Sequence, residues 1–257
     1  MPVLVTDAHT STGAAVVRRI LAAGGEVRAY GAGVDDSLRA AGAIVANGDA
    51  DDEGRLEAAL EQVHTVIHLG PGLLGSARIP MEVAAATLAT AAEHAGVQRV
   101  IALSVLGAGQ GDDFRAAKGR VESLLQDADL PTVVLRVGLI VTPALLAAVR
   151  SLPADAPARG NLHAPLRLDD LLDVLAGLDD LRSTASAGHV VFHAAGPDRI
   201  QLGAWLDAQG TGRVGSTWAP IEGRSVLGAA LATDAWVPGP TDGRDVFGFL
   251  GTTPRPS

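Results

Sequence analysis

Of the 20 lysine and arginine residues in this chain, Lys118 is the only lysine. An ammonium is compact and tunable in pKa where a guanidinium is neither, so a lone lysine in an arginine-rich chain is a candidate acid or base, or a fixed cation for a substrate. Tyr30 is the only tyrosine, and it closes the second apolar run, far in sequence from Lys118. The histidines are His9, His64, His68, His94, His163, His189 and His193. His68 ends the fourth apolar run and His9 stands in the first loop, so Lys118, His68 and His9 make a candidate acid/base set wherever one cleft collects all three. His189 and His193 share a face of a late strand at a spacing too long to chelate, and they read as structural. With no cysteine and no pair of histidines at helical spacing beside a carboxylate, no metal site is expected.

The loop Asp7-Ala-His-Thr10-Ser-Thr-Gly13 precedes a helical run that sets Ala14, Val17, Ile20 and Leu21 on one face and stops at Gly24 and Gly25. The hydroxyls of Thr10, Ser11 and Thr12 read first as caps of that helix, with a repurposed anion site as the alternative. Asp49, next to Gly48, reads as a turn residue, while Asp169 and Asp170 fit helix capping.

These residues must be positioned by short apolar runs that alternate with segments of helical period, the pattern of parallel strands joined by crossover helices. Strands are expected at Val3 to Thr6, Glu26 to Tyr30, Ala43 to Ala46, Thr65 to Leu69, Arg99 to Ser104, Thr132 to Arg136 and His189 to His193. Helices are expected after Gly13, then at Glu53 to Val63, Pro80 to Ala95, Asp113 to Asp127 and Asp169 to Leu178. Near residue 153 the chain turns richer in Gly and Pro, which divides a core over 1–152 from the remaining core elements and a small C-terminal cap over 153–257, the whole forming one structural unit. The tail after Arg213 has little periodicity, and its order depends on docking, with Trp205, Trp218 and Trp236 as anchors.

At 257 residues and 47% hydrophobic content the chain can bury a large core, and with aromatics at 3% that core must be small aliphatic side chains. A net charge of -9 without a basic cluster excludes nucleic acid as a partner. No apolar run reaches the ~20 residues of a membrane span, and the first residues form a strand rather than a leader, so the expected location is cytoplasmic with no membrane partner.

In their order, several segments resemble the extended and atypical short-chain dehydrogenase/reductases, including the NAD-dependent epimerase/dehydratase and NmrA-like branches. They are Val3-Leu-Val-Thr before the helix at Gly13, Gly48-Asp49-Ala-Asp51, Val66-Ile-His-Leu-Gly70, and Gly96-Val-Gln-Arg-Val-Ile-Ala-Leu-Ser104. The Lys118 helix, Val133-Val-Leu-Arg-Val-Gly138 and Leu166-Arg-Leu-Asp-Asp170 continue the match. The resemblance implies an α/β fold, a Rossmann-like doubly wound parallel sheet with a small C-terminal cap, and a nicotinamide dinucleotide held across the carboxyl ends of the strands. It places Asp7, Thr10, Ser11, Thr12, Gly13, Asp49, Leu69, Gly70 and Ser104 along that cofactor cleft.

The chain departs from the family at the chemistry. Where the family has three glycines in the first loop, only Gly13 remains, with Asp7 and Thr10 at the other two positions. A carboxylate and a branched side chain beside a pyrophosphate lead to the expectation that NAD(P) binds weakly or not at all. The family's tyrosine, four residues before its lysine, is replaced in Phe114-Arg-Ala-Ala-Lys118, and Leu106 stands where many relatives carry a hydroxyl. Tyrosine-dependent hydride transfer is therefore not expected. Lys118 falls on the family's lysine, which some tyrosine-lacking relatives, the isoflavone-reductase-like enzymes, use as acid or base. The expected function is an enzyme on a small molecule, an isomerase, dehydratase, cyclase or atypical reductase. An NmrA-like ligand or redox sensor and a pseudoenzyme subunit are the alternatives, and a homodimer is left open.

Overall fold

The computed structural model describes residues 2–71, 79–111, 113–150, 162–180, 188–208 and 244–256. Within them lie the strands β1 (Val3–Val5), β2 (Val27–Gly31), β3 (Ile44–Asn47), β4 (Thr65–His68), β5 (Arg99–Val105), β6 (Thr132–Val137), β10 (His189–Ala194) and β12 (Arg244–Asp245). They form one parallel sheet in the order β12-β10-β6-β5-β4-β1-β2-β3. Two small sheets accompany it: β7 (Ile140–Val141) pairs with β9 (Leu166–Arg167), and β8 (Leu162–His163) with β11 (Ile200–Gln201).

The helices are α1 (Ser11–Ala22), α2 (Asp36–Ala40), α3 (Glu53–Leu60), α4 (Met81–His94), α5 (Asp113–Asp127), α6 (Pro143–Arg150), α7 (Leu168–Asp180), α8 (Leu202–Ala208) and α9 (Val246–Leu250). They cover both faces of the sheet, which is why the central strands read as unbroken apolar runs rather than alternating ones. On one face Val3, Val5, Ile67 and Ile101 pack with Val17 and Ile20 of α1 and Val174 and Leu175 of α7. On the other, Leu4, Val66 and Val100 pack with Leu56 and Leu60 of α3, Leu88 of α4 and Val121 and Leu125 of α5. Small residues let the helices approach closely: Ala85, Ala91 and Ala92 of α4 are fully buried.

The seven expected strands are all present, and β12 is an eighth. The sheet thus recruits strands from beyond residue 153, while the proposed boundary itself, Trp218 and Trp236 lie outside the described residues. Trp205 is buried on α8. The tail's described end docks on α7: Arg255 donates from its backbone N–H to Asp170 Oδ2 at 2.9 Å and pairs with Asp173 at 2.7 Å. Because α7 starts at Leu168, Asp169 and Asp170 sit in its first turn rather than at its cap. Among the described residues no helix is long and apolar enough to cross a membrane.

Candidate functional site

The chain runs outward from β1 to β2 and β3, then returns to β4 beside β1, and such a reversal opens a crevice at the carboxyl ends of the strands. A cleft of about 450 Å³ occupies that place. Its lining includes Asp7, His9, Thr10, Ser11, Thr12, Asp49, His68, Leu69, Gly70, Ser104 and Lys118, so the loops bring nearly all of the candidate residues to one cavity. Gly13 lies behind it, buried against the loop.

The first loop keeps the shape of a glycine turn without its first two glycines. Asp7 adopts a left-handed backbone, φ 52°, a conformation that aspartate tolerates better than most residues. Its carbonyl accepts both the backbone N–H of Thr10, at 3.0 Å, and the Thr10 hydroxyl, at 2.8 Å. Thr10 Oγ1 in turn accepts the N–H of Gly13 at 3.0 Å and caps α1, which starts at Ser11, three residues earlier than the sequence indicates. The N–H groups of Ser11 and Thr12 open the helix, where no intrahelical acceptor exists, so they remain as anion donors. At Gly13 a Cβ would stand 2.8 Å from Ala8 Cα and closer still to the Asp7 carbonyl oxygen, so the glycine is required for α1 to approach β1.

Lys118 projects from α5 into the other wall and is only 4% exposed. Its Nζ donates to the Leu103 carbonyl at 3.4 Å and stands 5.8 Å from the ring centroid of Phe114, which keeps the aromatic face of the family's tyrosine without its hydroxyl. Burial pushes its pKa down to about 8, against the upward pull of Asp7 and Glu122. Among the described residues lining the cleft, Lys118 is the only lysine or arginine.

His68, at the end of β4, is buried beside it. The Cβ position of Gly70 lies 3.0 Å from Lys118 Nζ and 3.5 Å from His68 Nε2, so both nitrogens crowd the same side-chain-free backbone, itself left-handed at φ 62°. Burial lowers the His68 pKa to about 4; Asp7 opposes this and Lys118 adds to it, so the ring is neutral at pH 7. His9 is exposed and stands at the β2 end of the cleft, its Nδ1 2.7 Å from the Cβ position of Gly31. It is not brought to the Lys118–His68 pair.

Ser104 is committed elsewhere. Its hydroxyl donates to Glu122 Oε1 at 2.5 Å, and Glu122 also holds Arg136 through a 2.6 Å contact to Oε2. Glu122 is one helical turn after Lys118, and that i,i+4 spacing on a helix whose lysine faces the cleft was the signal that could have singled it out. Thr6 was also overlooked, although it is the hydroxyl at the end of β1: it contacts Asp7 Oδ2 at 3.3 Å, His68 Nδ1 at 3.1 Å and the Leu69 N–H at 3.2 Å. Asp49 is exposed, and its carbonyl accepts the Tyr30 hydroxyl at 2.8 Å, which accounts for the burial of the only tyrosine on β2.

Residues 8–162, more than half of the chain, match the NAD(P)H-binding family. The chain belongs to that family. Solved structures of epimerase, dehydratase and reductase members share its fold. Citrobacter sp. triphenylmethane reductase, complexed with NADP(H), has a TM-score of 0.65 at 18% identity over 80% of this chain and 74% of its own. Thermus thermophilus UDP-glucose 4-epimerase, complexed with NAD, has 0.65 at 20% over 83% and 84%. The Streptomyces venezuelae dTDP-glucose 4,6-dehydratase, a double mutant with NAD bound, has 0.69 at 19% over 100% and 93%. A search of curated proteins by sequence returns no match.

Membership in the NAD(P)H-binding family overturns the expectation that NAD(P) binds weakly or not at all. The physical reason lies in how the two replaced glycines are used. Asp7 preserves the left-handed turn, so the loop is still open in the way a glycine would leave it. Its carboxylate is held by Thr6 and faces the positive field of Lys118, where the sequence had implied a lone charge at the pyrophosphate. The Thr10 side chain turns back to cap α1 instead of filling the approach. The residues present fit a dinucleotide: the Ser11 and Thr12 N–H groups would serve its phosphates, and Gly31, Ala32 and Asp49 line the β2–β3 arm of the cleft beyond them.

Proposed function

We propose that the protein is an NAD(P)H-dependent enzyme acting on a small, largely apolar molecule, with Lys118 in place of the family's tyrosine as the acid/base group. The observation that carries this reading is the placement of the chain's only lysine, buried in the cleft wall at the position of the family's lysine with a pKa near 8. Acid/base groups work best when their pKa lies near the operating pH, and a buried ammonium is far closer to that condition than a solvated one. A reduced nicotinamide supplies a hydride when bound. Lys118 Nζ–H can give a proton to an oxygen anion, and its field stabilises that charge before the proton moves.

On the substrate side the cleft is lined by Ile79, Leu103, Val105, Phe114, Leu139, Ile140 and Leu145. Such a wall binds apolar surface and orients a single polar group toward Lys118 and His68. Among the lining residues described, Lys118 is the only cation to offset a second anionic group, which favours a neutral molecule over a charged one.

The test is turnover of NAD(P)H with apolar carbonyl compounds. As a proton donor Lys118 must be charged, so activity is expected to hold below pH 8 and fall as the pH rises through about 8. Lys118→Arg keeps the charge but not the tunable proton and should lose roughly 10²-fold or more in turnover, whereas a binding role predicts mainly a raised KM. Wild-type turnover in Lys118→Ala would remove Lys118 from the reaction, whereas dinucleotide binding without turnover in the wild type would favour a sensor.

A further inference from the structure

We infer that Thr6 is a positioning residue: it holds His68 as the Nδ1–H tautomer, so that His68 Nε2 becomes the hydrogen-bond acceptor that faces Lys118 in the cleft. The inference deepens the acid/base reading of this site. Thr6 has a single hydroxyl proton and three polar neighbours: Asp7 Oδ2 at 3.3 Å, His68 Nδ1 at 3.1 Å and the Leu69 N–H at 3.2 Å. Leu69 can only donate, so Thr6 Oγ1 accepts there. The Asp7 carboxylate can only accept, so its charge draws the hydroxyl proton toward it, although that contact at 3.3 Å is longer than the 3.1 Å to Nδ1. His68 Nδ1 must then carry the ring proton and donate to Thr6 Oγ1.

A second consideration selects the same tautomer from the opposite side of the ring. Nε2 and Lys118 Nζ converge on Gly70, at 3.5 Å and 3.0 Å from its Cβ position. An N–H aimed toward an ammonium is repelled, and a lone pair is attracted. Asp7, linked to Nδ1 through Thr6, and Lys118, beside Nε2 at Gly70, are the charged groups that bear on the ring, and this placement favours the proton at Nδ1. Asp7 stands where the family has glycine, so the same residue that keeps the loop open also fixes the imidazole. The result is a donor at Nζ beside an acceptor at Nε2, a pair complementary to a hydroxyl, which accepts from the first and donates to the second.

Two-bond ¹⁵N–¹H correlation spectra of the imidazoles at neutral pH, with His68 assigned by comparison with His68→Asn, read the tautomer directly. The expected wild-type pattern is protonated Nδ1 and unprotonated Nε2 on His68. Asp7→Ala frees the Thr6 proton for Nδ1 and should raise the Nε2–H population; Thr6→Val should do the same, and Thr6→Ser should restore the wild-type pattern. An Nε2–H ring in the wild type overturns the inference even if no variant folds, and so does a wild-type pattern in both Asp7→Ala and Thr6→Val. The spectra need neither nucleotide nor substrate, so their outcome is separable from the failure of NAD(P)H turnover or of Lys118 as its acid.

Discussion

A lysine buried in an apolar wall costs the native state, and in this protein that cost is measurable because no second lysine obscures it. The folded pKa near 8 lies below the ordinary 10.5 of a solvated lysine. Between those two values the unfolded chain holds a proton that the native state has released, so native stability rises with pH across that window; below about 8 both states are charged and the full penalty is present. Relative to Lys118→Met, which cannot titrate, the wild type should gain roughly 3 kcal/mol between pH 8 and 10.5. Urea unfolding of both proteins at pH 7.5 and 10.5 checks this, and a constant difference between them contradicts a depressed lysine. The placement of Lys118 at the cleft was legible in the sequence: one lysine, at one family position, with Phe114 and Leu106 in place of the usual hydroxyls. What the sequence could not show was where side chains point. Asp7 was read as a charge facing a pyrophosphate, yet it is tied to Thr6 and faces Lys118; Ser104 was read as a cofactor residue, yet its hydroxyl is bound to Glu122.

Among the elements, the junction of β1 and α1 carries the most constraint, since it must turn the chain tightly and still leave a helix N-terminus open to the cleft. Gly13→Ala would set a methyl 2.8 Å from Ala8 Cα and still nearer the Asp7 carbonyl, and backbone atoms cannot yield as a side chain would. Thermal or urea unfolding should show a loss of at least ~1–3 kcal/mol together with weakened dinucleotide binding; unchanged stability would mean that α1 can withdraw from β1 at no cost. The parallel strands were readable because burial on both faces leaves apolar runs of recognisable length, as in Val133-Val-Leu at β6 and Val66-Ile at β4. β12 was not, because two residues, Arg244 and Asp245, carry no periodicity and owe their strand geometry to the edge of β10. The start of α1 was misplaced because Thr10, rather than Gly13, ends the turn, and a capping hydroxyl looks the same in sequence whether it precedes or follows the helix start.

Across the whole molecule, the order of the sheet places the reversal between β1 and β4, and the groups that line the cleft are carried by the strands and loops around that reversal. Loop Asp7–Thr12 comes from β1, His68 and Gly70 from β4, Ser104 from β5 and Lys118 from the helix after it, which is why residues distant in sequence share one cleft of about 450 Å³. This cleft is expected to hold a nicotinamide dinucleotide although two of the three loop glycines are gone. Calorimetric titration of NADH and NADPH into the purified protein tests it most directly. A stoichiometric site with a dissociation constant at or below the micromolar range, about -8 kcal/mol, is expected for at least one of the two; no binding heat with either at millimolar nucleotide would rule the site out.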